Sequence, residues 1–189
     1  MYTILEVIAV ALSLTFLILL IQEVKWCWPF GITSSALSIV LFVEAKLYSE
    51  AILYFFYAVI GFYGWWVWTR RTKKEVGQSV KKISRSWSAL VFAAGLLGAW
   101  GLGTMFSKVS DAAHPFIDAT TTSFSFVASF LEAHKILSAW IYWIGINGVS
   151  VWLYFERGLP IYSALMIIYF AVSIYGWFDW KKKWARAAI

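Results

Sequence analysis

Tyr63-Gly64-Trp65-Trp66-Val67-Trp68 is the stretch that decides how this chain is read, because it returns 112 residues later as Tyr175-Gly176-Trp177-Phe178-Asp179-Trp180. The same offset, with no gap, pairs Trp28 with Trp140, Ile32 with Ile144, Leu53 with Leu165 and Tyr57 with Tyr169. It also pairs Ser13 with Ser125, Leu19 with Leu131 and Leu47 with Leu159. Both copies lie in long apolar runs. A direct repeat of apolar helices is a transporter architecture, with the substrate site between the repeats near the bilayer midplane. The motif therefore predicts an all-α integral membrane protein that moves a solute.

Composition bounds the class in the same direction. Hydrophobic residues make up 61% of the 189 and charged residues 14%, and the mean hydropathy is +0.72. A soluble domain of this size needs a larger charged surface. The net charge of +6 is no nucleic-acid signal, since the cations sit between or after apolar runs, where orientation signals belong. The single cysteine, Cys27, excludes an intrachain disulfide, and no Cys/His metal spacing exists. The first apolar run lacks a basic start and a small-residue cleavage site, so it reads as a retained span.

Seven spans are expected, at about 4–22, 28–44, 51–69, 87–106, 119–137, 138–155 and 160–178. Pro29, Pro115 and Pro160 fall at or just before helix starts, where a missing N–H costs little. The fifth span is the most polar, through Asp118-Ala119-Thr120-Thr121-Thr122-Ser123-Phe124-Ser125. Seven spans put the termini on opposite sides. With the C-terminus inside, thirteen Lys and Arg lie on the inner side and three (Lys46, Lys108 and Arg157) on the outer. The positive-inside rule then predicts an outer N-terminus and a cytoplasmic C-terminus. Three-helix copies joined directly would be inverted, so the unrepeated 87–106 span serves as a linker helix. The expected organisation is a first three-helix repeat at 1–69, a basic cytoplasmic linker plus linker helix at 70–117, a second repeat at 118–180 and a basic cytoplasmic tail at 181–189.

Polar groups inside the spans mark where chemistry resides. On the sixth helix Trp140, Trp143, Asn147 and Ser150 follow i, i+3, i+7, i+10 and share one face. An amide deep in a span is costly unless bonded. It either ties helices together or meets a solute. On the fifth helix Asp118, Thr122, Ser125, Ser129 and Glu132 form a second stripe, whose hydroxyls either bond back to their own helix or face a pathway. Trp68 and Trp180, beside Arg70 and Lys181, fit an interfacial aromatic belt. Trp65, Tyr54, Tyr57 and Tyr175 are further candidates to line a pathway. No Asp, Glu, Lys or Arg occupies the central part of a span, no phosphate loop is present, and no nucleophile–base arrangement is visible. No arrangement supports an enzyme or cofactor site, and a membrane enzyme or a non-transporting membrane interaction protein stands as the alternative class. The pattern favours an uncoupled facilitator for a flat, uncharged or cationic solute without phosphate.

The order of these pieces resembles the PnuC family of bacterial vitamin transporters, from about Trp28 to Trp180. The residues that carry the resemblance are Trp143-Ile-Gly-Ile-Asn147, the Tyr63 to Trp68 ending and the Leu47-Tyr48 step. The resemblance implies three helices, a linker helix and three helices, similar in arrangement to SWEET sugar transporters. It also implies a homotrimer in the bacterial inner membrane. The implied activity is facilitated diffusion of a non-phosphorylated vitamin, foremost nicotinamide riboside, otherwise thiamine or riboflavin, with trapping by a separate cytoplasmic kinase. The one-face spacing and the Trp-x-x-x-Asn match together single out Trp143 and Asn147 as substrate contacts, with Trp140, Tyr175, Trp65, Tyr54, Tyr57, Thr122 and Ser125 as further candidates by their place in the helices. No cofactor or nucleic-acid partner is implied; the solute and membrane lipid are the expected ligands. Tyr54 and Gly61 depart from the family pattern, where riboside transporters tend to carry Gln and some carry Asn.

Overall fold

A computed structural model describes residues 2–44, 48–70, 80–109, 114–158 and 160–187. Among them are seven helices: α1 Tyr2–Ile21, α2 Cys27–Glu44, α3 Tyr48–Thr69, α4 Arg85–Val109, α5 Pro115–Ala133, α6 Ala139–Glu156 and α7 Pro160–Ala187. At about 1.5 Å per residue, each can cross most of a hydrocarbon core of roughly 30 Å. Helices α1 to α4 and α7 also have the apolarity of a membrane span. Helices α5 and α6 are more polar, since they carry the Thr/Ser run, Glu132 and Asn147. The chain is a multi-pass membrane protein.

Helices α5 and α7 depart most from the expected spans. Helix α5 starts at Pro115 and stops at Ala133, because the chain turns through a left-handed residue at Lys135. Helix α7 runs on through Ala187, so residues 181–187 of the basic tail are helical. Good helix formers and the Lys183 Nζ–Asp179 Oδ2 ion pair at 2.8 Å, spaced i, i+4, carry it past the apolar stretch. Residues 71–79 of the basic linker and Leu47 lie outside the described residues.

Two compact units divide at Ser79 and Val80. In the first, α2 packs on both α1 and α3. In the second, α6 packs on both α5 and α7, and α4 lies against α5. The internal geometry of the two units repeats at the offset seen in the sequence. Helices α1 and α5 both end in a left-handed non-glycine residue, Glu23 at φ 61° and Lys135 at φ 56°. Around each, the backbone closes a Schellman turn. Val24 N–H donates to Leu19 O at 2.9 Å and Ile136 N–H to Leu131 O at 2.9 Å. Glu23 N–H donates to Leu20 O and Lys135 N–H to Glu132 O, again both at 2.9 Å.

The repeated Gly-x-x-x-Trp endings are packing devices. Trp28 crosses Trp68 edge-on at 5.5 Å and 89°, and Trp140 crosses Trp180 at 5.4 Å and 89°. A Cβ on Gly64 would lie 2.3 Å from the Trp28 ring, and one on Gly176 2.7 Å from the Trp140 ring. Each indole is thus a peg laid on the bare backbone of the last helix of its unit. Trp68 and Trp180 are buried, which corrects the expectation that they anchor in an interfacial belt. A tryptophan one turn beyond a glycine is held inward by the peg it caps.

Candidate functional site

The second unit gathers its polar side chains along α6, with α5 on one flank and α7 on the other. Trp143 is half-buried against Phe124, Ala128 and Ile146. Its indole Nε1–H donates to Glu132 Oε2 of α5 at 2.6 Å. One helical turn on, Asn147 Nδ2 donates to Ser173 Oγ of α7 at 3.0 Å. Ser173 in turn donates its hydroxyl proton to Tyr169 O at 2.8 Å. That last bond fixes the amide. A serine whose proton is spent on a carbonyl can only accept, so the NH₂ side of Asn147 must face it. The amide oxygen and the second N–H are then left for another partner. Indole and amide are spaced i, i+4, so both face the same side of α6.

The expected site residues separate on this framework. Trp143 and Asn147 come together as described. Trp140 does not join them, although it shares their stripe by spacing. It is 1% exposed and its ring lies on Gly176 of α7, whereas Trp143 turns toward α5. The bare Gly176 draws one indole and the Glu132 acceptor the other. Tyr175 is 64% exposed on α7 and shares no described contact with Trp143 or Asn147. On α5, Ser125 is buried and Thr122 half-buried. Their neighbours serve structure: Thr121 Oγ1 bonds back to Asp118 O at 2.9 Å, and Ser123 Oγ donates to Gly95 O of α4 at 2.8 Å. In the first unit Tyr54 lies 5.2 Å from Phe42 and edge-on to Tyr57 at 5.6 Å. Trp65 packs on Trp26 at 5.3 Å. These three form aromatic contacts within their own unit.

Sequence reasoning missed Ser173 and assigned no site role to Glu132. Glu132 is the second-last residue of α5 and 4% exposed. A carboxyl group so placed at the end of a span reads as interfacial, yet this one is buried and accepts the Trp143 indole N–H. The usable signal was the repeat itself. Where the second unit has Glu132, Trp143, Asn147 and Ser173, the first has Leu20, Gly31, Ser35 and Gly61 at the same offset. The pegs recur in both copies, whereas these four do not.

The two ends of this unit are tied differently. At the α5–α6 loop, Lys81 N–H donates to Lys135 O and Leu137 N–H donates to Lys81 O, both at 2.9 Å. Lys82 Nζ sits 3.4 Å from the Trp184 ring centre. At the far end Arg157 Nη2 lies 2.7 Å from both oxygens of Asp118, and His114 Nε2 lies 3.1 Å from Glu156 Oε2. Asp118 is therefore an ion-pair partner joining α5 to the end of α6, not part of an open polar stripe.

The family described as nicotinamide mononucleotide transporter matches residues 3–182. The nicotinamide riboside transporter PnuC of Escherichia coli is 26% identical over 184 residues, covering 84% of this chain and 75% of that protein. The riboflavin/roseoflavin transporter RibM of Streptomyces davaonensis is 24% identical over 182 residues, covering 93% of this chain and 82% of that one. Among solved structures, the crystal structure of the vitamin B3 transporter PnuC matches with a TM-score of 0.78 at 23% identity, over 97% of this chain and 83% of the other, which shows a common fold. Matched over nearly its whole length, and folded like a solved member, the chain belongs to the PnuC, or nicotinamide mononucleotide transporter, family of membrane vitamin transporters and is not an enzyme.

Proposed function

We propose that this chain is a facilitator for nicotinamide riboside, taken up without its phosphate across a bacterial inner membrane. The observation that carries the reading is the paired presentation on α6: a half-buried indole, and one turn away an amide whose oxygen faces no protein donor among the described residues. An indole face attracts a pyridinium ring by about 0.5–2 kcal/mol, depending on desolvation. The amide supplies the directional bond to a ring amide or ribose hydroxyl. The groups bonded to Trp143 and Asn147 are a carboxyl and a hydroxyl, and neither pairs with a phosphate. Exclusion of the phosphorylated product lets a cytoplasmic kinase trap the solute.

One relative favours a second reading. RibM carries riboflavin by its name and matches a larger share of this chain than PnuC does. Titrating purified protein with nicotinamide riboside, thiamine and riboflavin, followed by tryptophan fluorescence, decides among them. The riboside should bind most tightly. Nicotinamide mononucleotide should compete at least tenfold more weakly, the scale of a charge desolvated without a partner. Equal competition by the mononucleotide would remove the trapping argument.

The same reading carries an orientation, an arrangement and an assembly. We place the N-terminus outside and the C-terminus in the cytoplasm, with three helices, a linker helix and three helices, assembled as a homotrimer. The contacts of Lys81 with the α5–α6 loop and of Lys82 with Trp184 support the first point. They gather three basic segments of the second unit at one end. Cysteines introduced at Ser86 and Ala187, in a background lacking Cys27, should resist an impermeant thiol reagent in intact cells and react after lysis. Labelling of either in intact cells overturns the orientation. Light scattering of the detergent-solubilised protein checks the trimer. Transport into proteoliposomes should equilibrate the solute without concentrating it, and accumulation that collapses with a proton or sodium gradient would contradict facilitated diffusion.

A further inference from the structure

Glu132 is a buried carboxyl group with one described side-chain task, accepting the Trp143 indole N–H at 2.6 Å. Its counterpart in the first unit, Leu20, is fully buried, so this position in the fold is built for a hydrocarbon. The counterpart of Trp143 is Gly31, whose missing Cβ makes room for Phe16. In the second unit Ala128 stands where the first has Phe16, and Trp143 packs against the buried cluster to which Ala128 belongs. Where the first unit has a large residue on α1 and a small one on α2, the second thus has a small one on α5 and a large one on α6. It has also placed a carboxyl group where the new indole N–H arrives. An indole on a span has two soft torsions. Packing against a ring face restrains these torsions less than a directional bond does. A hydrogen bond at its edge fixes the plane, and with it the face presented beside Asn147.

We propose that Glu132 is a positioning residue for substrate recognition: its carboxyl oxygen holds the Trp143 indole in the orientation that stacks on the vitamin ring. This rests on the reading of Trp143 and Asn147 as the substrate contacts. The work is done by an oxygen acceptor, so a glutamine amide oxygen replaces it and a leucine does not.

The test uses full-length protein and four variants: Glu132→Leu, Glu132→Gln, Trp143→Phe and the double variant Glu132→Leu/Trp143→Phe. Leucine is the residue the equivalent site of the first unit already holds, so the fold accommodates it. Nicotinamide riboside is the titrant, with thiamine and riboflavin alongside. Glu132→Leu should weaken binding roughly tenfold, as expected for a lost hydrogen bond to a buried group. Glu132→Gln should stay within about threefold of wild type, the scatter of independent substitutions. Trp143→Phe keeps a stacking ring but has no N–H to hold, so it should weaken binding as Glu132→Leu does. The double variant should bind no more weakly than the worse single variant, because both remove the same bond. In ligand-free protein carrying ¹⁵N-labelled tryptophan, the indole resonance absent from Trp143→Phe should shift in Glu132→Leu and remain close to wild type in Glu132→Gln.

Binding by Glu132→Leu within about twofold of wild type, inside that scatter, overturns the proposal. So does additivity of the two losses, or a Glu132→Gln loss as deep as that of leucine with its indole resonance unmoved. Those results leave the transporter reading intact. If wild-type protein binds none of the three vitamins, the substrate reading fails and the proposal falls with it.

Discussion

Substitution of Asn147 by leucine lowers affinity for the transported vitamin roughly tenfold to a hundredfold, the loss expected when a dry pocket forfeits a hydrogen bond of about 1–3 kcal/mol. Trp143→Ala costs at least as much, through lost ring area and stacking. Asn147 bonds Ser173 across α6 and α7, so it does tie helices together, and a fall in thermal stability alone would show only that role. Ser173→Ala separates the two roles. It removes the interhelical bond but leaves the amide in place, so it should lower the melting temperature much as Asn147→Leu does. Its affinity should fall far less, since the oxygen and the second N–H remain for the ligand. Equal affinity losses in the two variants would mean that the interhelical bond, and not a ligand contact, governs binding. Affinity within about twofold of wild type for both Asn147→Leu and Trp143→Ala, well below the loss of a contact, would remove this face of α6 from the site.

The seven helices were legible as apolar runs, and the packing of the two indole pegs because that motif is written twice. Trp28 and Trp140, with their glycines and capping tryptophans, match in sequence and again in geometry to within 0.1 Å of ring separation. The site was legible only in part. Spacing puts Trp140 and Trp143 on one stripe. Their opposite fates depend on what the neighbouring helices offer, a bare Gly176 on one side and Glu132 on the other. Helical periodicity carries no information about that. Ser173 was invisible for a similar reason: a serine in a span signals nothing until the helix opposite is known to present an amide. Departures from the repeat carry the missing information. A residue kept in both copies, such as Trp140, is explained by packing that both copies need. A residue present in one copy only, such as Glu132, Trp143 or Asn147, replaces a packing residue that the other copy shows to be sufficient. Something beyond packing then has to explain it. On that criterion Trp140 belongs to the scaffold, as its burial against Gly176 shows, and Trp143 is the residue proposed for the site.

The scaffold half of that division makes the largest stability forecast. Gly176→Ala should destabilise the protein by about 1–3 kcal/mol, the usual cost of overpacking a filled interior. The added Cβ would stand 2.7 Å from three carbons of the Trp140 ring, and that ring is 1% exposed with Trp180 across its edge at 5.4 Å. It has nowhere to retreat without displacing a second indole. At roughly 2–4 °C per kcal/mol for a chain of this length, the melting temperature of the solubilised protein should fall by several degrees. Gly64→Ala should fall at least as far, since the contact with Trp28 would be 2.3 Å. Gly101→Ala is the control: its Cβ would meet nothing within 4 Å, so the better helix propensity of alanine should leave stability unchanged or raise it by up to about 1 kcal/mol. Shortening the peg should relieve the clash, so Gly176→Ala in a Trp140→Leu background should cost less than in the wild type. Full additivity of the two substitutions would show that the indole does not rest on that glycine. The two units would then be alike in sequence without sharing the device that holds their helices together.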